Sequence, residues 1–245
     1  MIVLLPPSEG KATARRGRPM DLASLSFPGL TEAREQVMDA LAEASARDDA
    51  LSVLGVGATL EADVRQNLCL REAPALPASK LYTGVLFDAL DLDSLGAASR
   101  RRANRRLLVA SAVHGMLRPT DRVSPYRCSM DVTLAGTGAL AGFWRPRLRA
   151  ELAPLLAGQL VVDCRSGSYR NALPPVAELA DGWVLVDVPG ASHWAKHTRG
   201  LVARRLCEAS RVTRPEQLAE LLPGTELGPP ARAGKPWRAL VPARH

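Results

Sequence analysis

The sequence predicts one α/β domain of mixed α+β character, in which a central sheet carries flanking helices and a mostly helical insertion. Three observations lead there. Short apolar runs at Ile2–Leu5, Leu107–Ala110, Gln159–Cys164 and Trp183–Val188 have the length and branched-residue content of buried strands. Helical patterns separate these runs. Polar loops follow or flank the strands, and neither an internal repeat nor a linker divides the 245 residues.

Taken in order, Ile2–Leu5 is the first strand and Pro6-Pro7 stops it. Ser8-Glu9-Gly10-Lys11 then forms a small, polar site loop. Residues 12–29 read as irregular, with Arg15, Arg16 and Arg18 around Gly17. The helical insertion covers about 30–105. Its first helix is capped by Thr31, with Glu32 and Glu35 favouring the helix dipole and Val37, Leu41 and Ala44 facing inward. Helical patterns follow near 48–54, 59–70 and Leu81–Leu90. Asp93 is placed to cap a helix bearing Arg100, Arg101, Arg102, Arg105 and Arg106. Consecutive helix positions point in different directions, so this run is no single basic stripe, and cations are favoured at a helix C-terminus.

The strand at Leu107–Ala110 empties into a stretch where Gly115, Pro119 and Pro125 alternate with Arg118, Asp121, Arg122, Tyr126 and Arg127. A core strand ending in such a loop is the usual layout of a site at a strand's carboxyl end. Beyond it come a short strand at Asp131–Leu134, a helix over Phe143–Leu156, and the strand Gln159–Cys164 with its loop Arg165–Arg170. Trp183–Val188 is followed by a helix from Ser192 to Glu208 and a short one over Pro215–Leu222. In the Pro- and Gly-rich tail, about 223–245, Trp237–Val241 alone has strand character.

Composition narrows the class. Apolar residues are 47% of the chain, enough for a sizeable core. No run approaches the roughly 18–20 apolar residues of a membrane span, and the opening reads as a strand and not a signal peptide. Cys69, Cys128, Cys164 and Cys207 are far apart and form no CxxC pair, so free thiols in a reducing cytoplasm are expected. The net charge of +7 points to an anionic partner. Of 32 basic residues only Lys11, Lys80, Lys196 and Lys235 are lysines. Where Arg is the default cation, a retained Lys supplies what Arg lacks, an amine that can deprotonate when buried.

If the strands share a sheet, loops 6–11, 114–127, 165–170 and 189–199 meet at one edge. Ser8, Lys11, Arg118, Tyr126, Arg127, Ser166, Tyr169, Lys196 and Arg199 would then line one cationic, hydroxyl-bearing cleft suited to phosphates. Arg118, Arg127, Lys196 and Arg199 would hold phosphate, and Ser8, Ser166 and Tyr169 would add neutral hydrogen bonds. Tyr126 has two readings, stacking on a base or packing in the core. Lys11 and Lys196 also have two, a plain phosphate ligand or a catalytic amine. The Gly-x4-Gly-Lys-Ser/Thr spacing of a phosphate loop is missing from PPSEGK, and SGSY is no Gly-x-Ser-x-Gly elbow. His193 and His197 have zincin spacing, but Trp194 stands where the general-base Glu belongs, so no metal and no cofactor are expected. DNA or a nucleotide is the expected partner, with no membrane and no evident protein partner.

The ordered set of short motifs resembles the YaaA family of peroxide stress proteins. It comprises Pro6–Lys11, Tyr82-Thr83-Gly84, Gly115–Asp121, Pro125–Met130, Phe143-Trp144, Ser166–Tyr169 and Lys196–Gly200. The resemblance implies a cytoplasmic protein of the hydrogen peroxide response that helps limit free iron. It also implies DNA binding through a positively charged cleft in an uncommon α/β fold. The alternative function is an enzyme acting on a nucleotide or damaged base through a lysine.

Overall fold

The computed structural model describes residues 1–190 and 192–243. The elements that place the site are β1 (Ile2–Leu5), α1 (Thr31–Ser45), α2 (Val85–Leu90), α3 (Ala97–Arg106), β2 (Leu107–Ser111), β3 (Gly115–Leu117) and α4 (Leu140–Leu156). They continue with β4 (Val161–Asp163), α5 (Gly167–Ala172), β5 (Trp183–Asp187), α6 (Ser192–Glu208), β6 (Glu226–Gly228) and β7 (Trp237–Leu240). The expected mixed α/β architecture is present. One seven-stranded sheet has the order β6-β7-β5-β4-β1-β2-β3.

The five middle strands run parallel, with Val3 opposite Leu107 and Leu4 opposite Asp163. β1, β2 and β4 are buried along their whole length, which is why they read as unbroken apolar runs and not as alternating ones. The two outermost strands are antiparallel. No helix among the described residues is long and apolar enough to cross a membrane.

Several expected boundaries move for identifiable reasons. Leu81–Leu90 is not one helix. Tyr82 is extended and pairs with Lys11 in an isolated bridge, and Gly84 at φ +94° starts α2. Asp93 does not cap α3, whose N-cap is Gly96; it forms an ion pair with Lys80 instead. The tail contributes two strands to the sheet, β6 as well as β7. The arginines of α3 have a packing role that sequence spacing did not reveal. Arg102 donates to the carbonyls of Cys207 (2.8 Å) and Glu208 (2.8 Å), and Arg106 to those of Leu206 (2.7 Å), Ala209 (2.6 Å) and Ser210 (2.8 Å). They satisfy the C-terminal carbonyls of α6, a neighbouring helix.

The largest correction concerns the central stretch. β2 does not open into one long loop. The backbone turns at residues 112–114 and returns as β3, with Ser111 opposite Gly115. Gly115 has φ +72°, and a Cβ there would stand 2.8 Å from the Trp144 ring, so only glycine fits. Trp144 is fully buried and donates its indole N–H to the Ala112 carbonyl at 2.7 Å, which fixes the turn.

Helix α6 packs closely on α2 at Gly200, where a Cβ would lie 2.2 Å from the Leu86 carbonyl oxygen and 2.8 Å from the Ala89 methyl. Gly200→Ala therefore has to push the helices apart, and a loss of about 2–3 kcal/mol is expected in urea unfolding. A loss below about 0.5 kcal/mol would show that the two helices part freely.

Candidate functional site at the carboxyl edge of the sheet

The chain leaves β1 toward β2 on one side and later enters β4 on the other, so β1 and β4 flank the point where the sheet order reverses. Ligands of open α/β sheets bind in the crevice beyond the strand ends at such a point. The loop after β1 carries Ser8 and Lys11 there. Ser8 Oγ donates to the Gly10 carbonyl (2.5 Å) and accepts from the Thr83 backbone N–H (3.0 Å), so it ties the loop to the segment before α2.

Lys11 is the most distinctive group. Its Nζ donates to the carbonyls of Ser8 (3.0 Å) and Glu9 (3.3 Å) and sits 4.2 Å from the centre of the Tyr126 ring. Among the described residues no carboxylate lies within ion-pair distance of it, because Glu9 turns to Arg127 at 3.5 Å. Withdrawal from solvent, followed by repulsion from Arg127, lowers the Lys11 amine to about 8. Arg127 is held by its backbone N–H, which donates to Asn67 Oδ1 at 2.8 Å, and by its guanidinium contact to the Glu9 carbonyl at 3.3 Å.

Beneath Lys11 lies a hydroxyl chain. Tyr126 OH is 3.0 Å from Tyr82 OH and 2.8 Å from Ser111 Oγ, which accepts from the His114 backbone N–H at 3.0 Å. Tyr126 is 4% exposed, so the core reading holds and base stacking is not open to it. Burial, then Arg34 and Lys11, pushes the His114 imidazole down to about 3, so the ring is neutral. Tyr169, next to this group, has its phenol pushed up by burial and then by Tyr82 and Cys128.

The remaining expected residues divide. Ser166 lies exposed just after β4, and Lys196 is exposed on the second turn of α6. Arg199, one turn further in, lies near the Cys164 thiol, and its Nε is buried with no hydrogen-bond partner. Arg118 is not with them. It follows β3 and so emerges at the opposite, amino edge of the parallel strands, where its guanidinium donates to the carbonyls of Asn104 (3.4 Å) and Arg105 (3.0 Å). There it lines a separate concavity of about 520 Å³ with Arg105, Arg106, Leu155 and Gln159. Loop 114–127 thus reaches the carboxyl edge at its two ends, through His114 and through Tyr126 and Arg127, and not through Arg118. Among the described residues no three His, Cys, Asp or Glu are grouped to hold a metal ion.

Sequence reasoning missed Ser111, His114, Arg34 and Asn67. Arg34 is fully buried and donates to the carbonyls of His114 (3.1 Å), Ser26 (2.7 Å) and Met116 (3.2 Å), which stiffens the turn beneath Lys11. A basic residue in an amphipathic helix gives no sign of burial, and a serine closing an apolar strand was the one available signal.

Comparison with known proteins gives the family. The chain is 47% identical over 253 residues to UPF0246 protein SCO2297 of Streptomyces coelicolor, covering 97% of this chain and 96% of the relative. It is 38% identical over 231 residues to UPF0246 protein CE1889 of Corynebacterium efficiens, covering 91% and 92%. The profile of the family described as peroxide stress protein YaaA matches residues 1–224, which include every carboxyl-edge group above, and the chain belongs to that family.

Proposed function

We propose that this protein binds a phosphate-bearing nucleic acid or nucleotide at the carboxyl edge of its sheet. The observation that carries this reading is the arrangement around Lys11, which holds one cation without a carboxylate beside a second, Arg127. Arg199, with an unsatisfied buried Nε at the end of β4, supplies a third point for phosphate oxygens. Ser166, Lys196 and Tyr169 lie on the same edge and extend it toward a longer ligand. Binding to DNA should weaken with salt by about 0.9 log units per log unit of salt for each phosphate neutralised. Arg127→Ala and Arg199→Ala should each reduce that slope by about one, whereas Arg118→Ala should leave it unchanged. A flat salt response, or a loss with Arg118→Ala equal to the other two, would overturn the reading.

A second reading is favoured by one specific observation, the lowering of the Lys11 amine to about 8. Near neutral pH a useful fraction of that amine is unprotonated and nucleophilic. In this reading the ligand carries an aldehyde, as an opened abasic sugar does. Lys11 Nζ attacks the carbonyl carbon, the C–N bond forms, and the carbonyl oxygen leaves as water to give an imine. Borohydride delivers hydride to the C=N bond and fixes the adduct as an amine. No trapped adduct on an abasic or aldehyde-bearing oligonucleotide would remove this reading and leave the binding reading intact.

A further inference from the structure

We infer that Tyr126 is the positioning residue of Lys11: its ring face carries the amine, and hydroxyl bonds to Tyr82 and Ser111 hold that face in place. The inference rests on the reading of Lys11 as the working amine.

Lys11 Nζ lies 4.2 Å from the Tyr126 ring centre and 5.8 Å from that of Tyr82, so Tyr126 is the principal face it meets. That ring is anchored at both sides of its hydroxyl, at 2.8 Å by Ser111 and at 3.0 Å by Tyr82. Ser111 is the last residue of β2, and its Oγ is itself fixed by the His114 N–H. Tyr82 bridges back to the backbone of Lys11 and stacks on Phe87 with ring centres 5.5 Å apart. The platform is therefore built from the end of a central strand and from the segment paired with Lys11, two rigid supports.

The chemistry of the platform matters as much as its position. Three hydroxyls contribute three hydrogens, and the two bonds between them use two, so no phenolate is needed to complete the chain. Burial keeps the Tyr126 phenol neutral. A phenolate would form an ion pair with Lys11 and hold it as ammonium. A neutral ring offers a quadrupole, which supports the ammonium weakly and also accepts the free amine. Arg127 opposes the charge on Lys11, while Glu9 and Asp63 favour it, and the neutral Cys128 thiol, His114 and Tyr82 complete the surroundings. The attractive partners in direct contact are the Tyr126 ring and the Ser8 and Glu9 carbonyls, and the ring is the only side chain among them.

The test uses the four lysines of the full chain, Lys11, Lys80, Lys196 and Lys235. Reductive methylation with ¹³C-formaldehyde gives each an NMR signal, and the signal missing from Lys11→Arg is that of Lys11. Tyr126→Leu removes the face and should lower the Lys11 titration midpoint by about half to one pH unit. Tyr126→Phe retains the face and should hold the midpoint within about 0.2 unit of wild type, at reduced stability. Tyr126→Met serves for the Leu variant if that chain does not fold. A folded Leu or Met variant with the wild-type midpoint overturns the inference, since a merely structural Tyr126 would change stability alone. A wild-type Lys11 midpoint above 10 would instead overturn the reading of Lys11 itself.

Discussion

Asp163→Ala is expected to lose about 3–5 kcal/mol of stability, a large part of the roughly 5–15 kcal/mol that holds a domain of ordinary stability. Asp163 and Arg165 are both fully buried. The carboxylate accepts Arg165 Nε at 2.9 Å, Arg165 Nη2 at 2.8 Å and the Arg165 backbone N–H at 3.0 Å, with the Trp183 indole at 3.4 Å. The guanidinium also donates to the carbonyls of Tyr169 (2.9 Å) and Leu173 (2.7 Å). Removing the acid leaves a buried charge with carbonyl partners only, and that stranded charge is where the loss arises. The double variant Asp163→Val with Arg165→Met should recover part of it, because no charge is left buried. Recovery stays incomplete, since the Tyr169 and Leu173 carbonyls lose their donors at about 1 kcal/mol each. Urea unfolding of wild type, single and double variants measures this; a single-variant loss below about 1 kcal/mol would mean that the pair is replaceable. The pair also reaches the site, since the Tyr169 carbonyl is one of its anchors and Ser166 follows it directly. Folded Asp163→Ala protein should therefore bind the proposed phosphate-bearing ligand more weakly.

The contrast between Arg118 and Arg165 shows what a sequence of this kind makes legible. Strands buried on both faces declare themselves as apolar runs: β1, β4 and β5 lie within the expected ranges, and β2 exceeds its range by Ser111 alone. α6 was legible to the residue. Which sheet edge a loop occupies is a different matter, because it depends on whether the chain has reversed. The reversal between Ser111 and Gly115 takes so few residues that periodicity has no window in which to register it. Its local signal was Gly115, readable as a loop glycine and in fact required by the Trp144 ring. Misplacing that one turn moved Arg118 by the full height of the sheet. Tyr126 and Arg127 stayed correctly placed because the chain crosses back before reaching them. Arg165 was legible only as a polar residue after a strand; its burial depends on Asp163 two residues earlier, and nothing in an isolated Asp-Cys-Arg triplet reveals an ion pair folded inward.

Lys11→Met should abolish any borohydride-trapped adduct and, at neutral pH, make the protein more stable than wild type. The sign follows from the direction of the shift. Lys11 falls to about 8 in the folded chain from an ordinary value of 10.5. Between those values the unfolded chain binds more protons, so wild-type stability rises with pH across that window and is lowest, and flat with respect to this group, below it. Methionine fills the same space over the Tyr126 ring without a charge to desolvate, so Lys11→Met should gain about 2 kcal/mol at pH 7. The gain should shrink as the pH rises from 8 and vanish above 10.5, where the wild-type amine is neutral in both states. Guanidinium unfolding at pH 7 and pH 10 separates the possibilities. If Lys11→Met is destabilised equally at both, Lys11 is a packing residue and its amine has no special state. If the gain appears at pH 7 alone, the fold maintains an unfavourable charge at the end of its central strand. That outcome, in the crevice where α/β sheets bind ligands, would favour the proposed role of the Lys11 amine over a packing role.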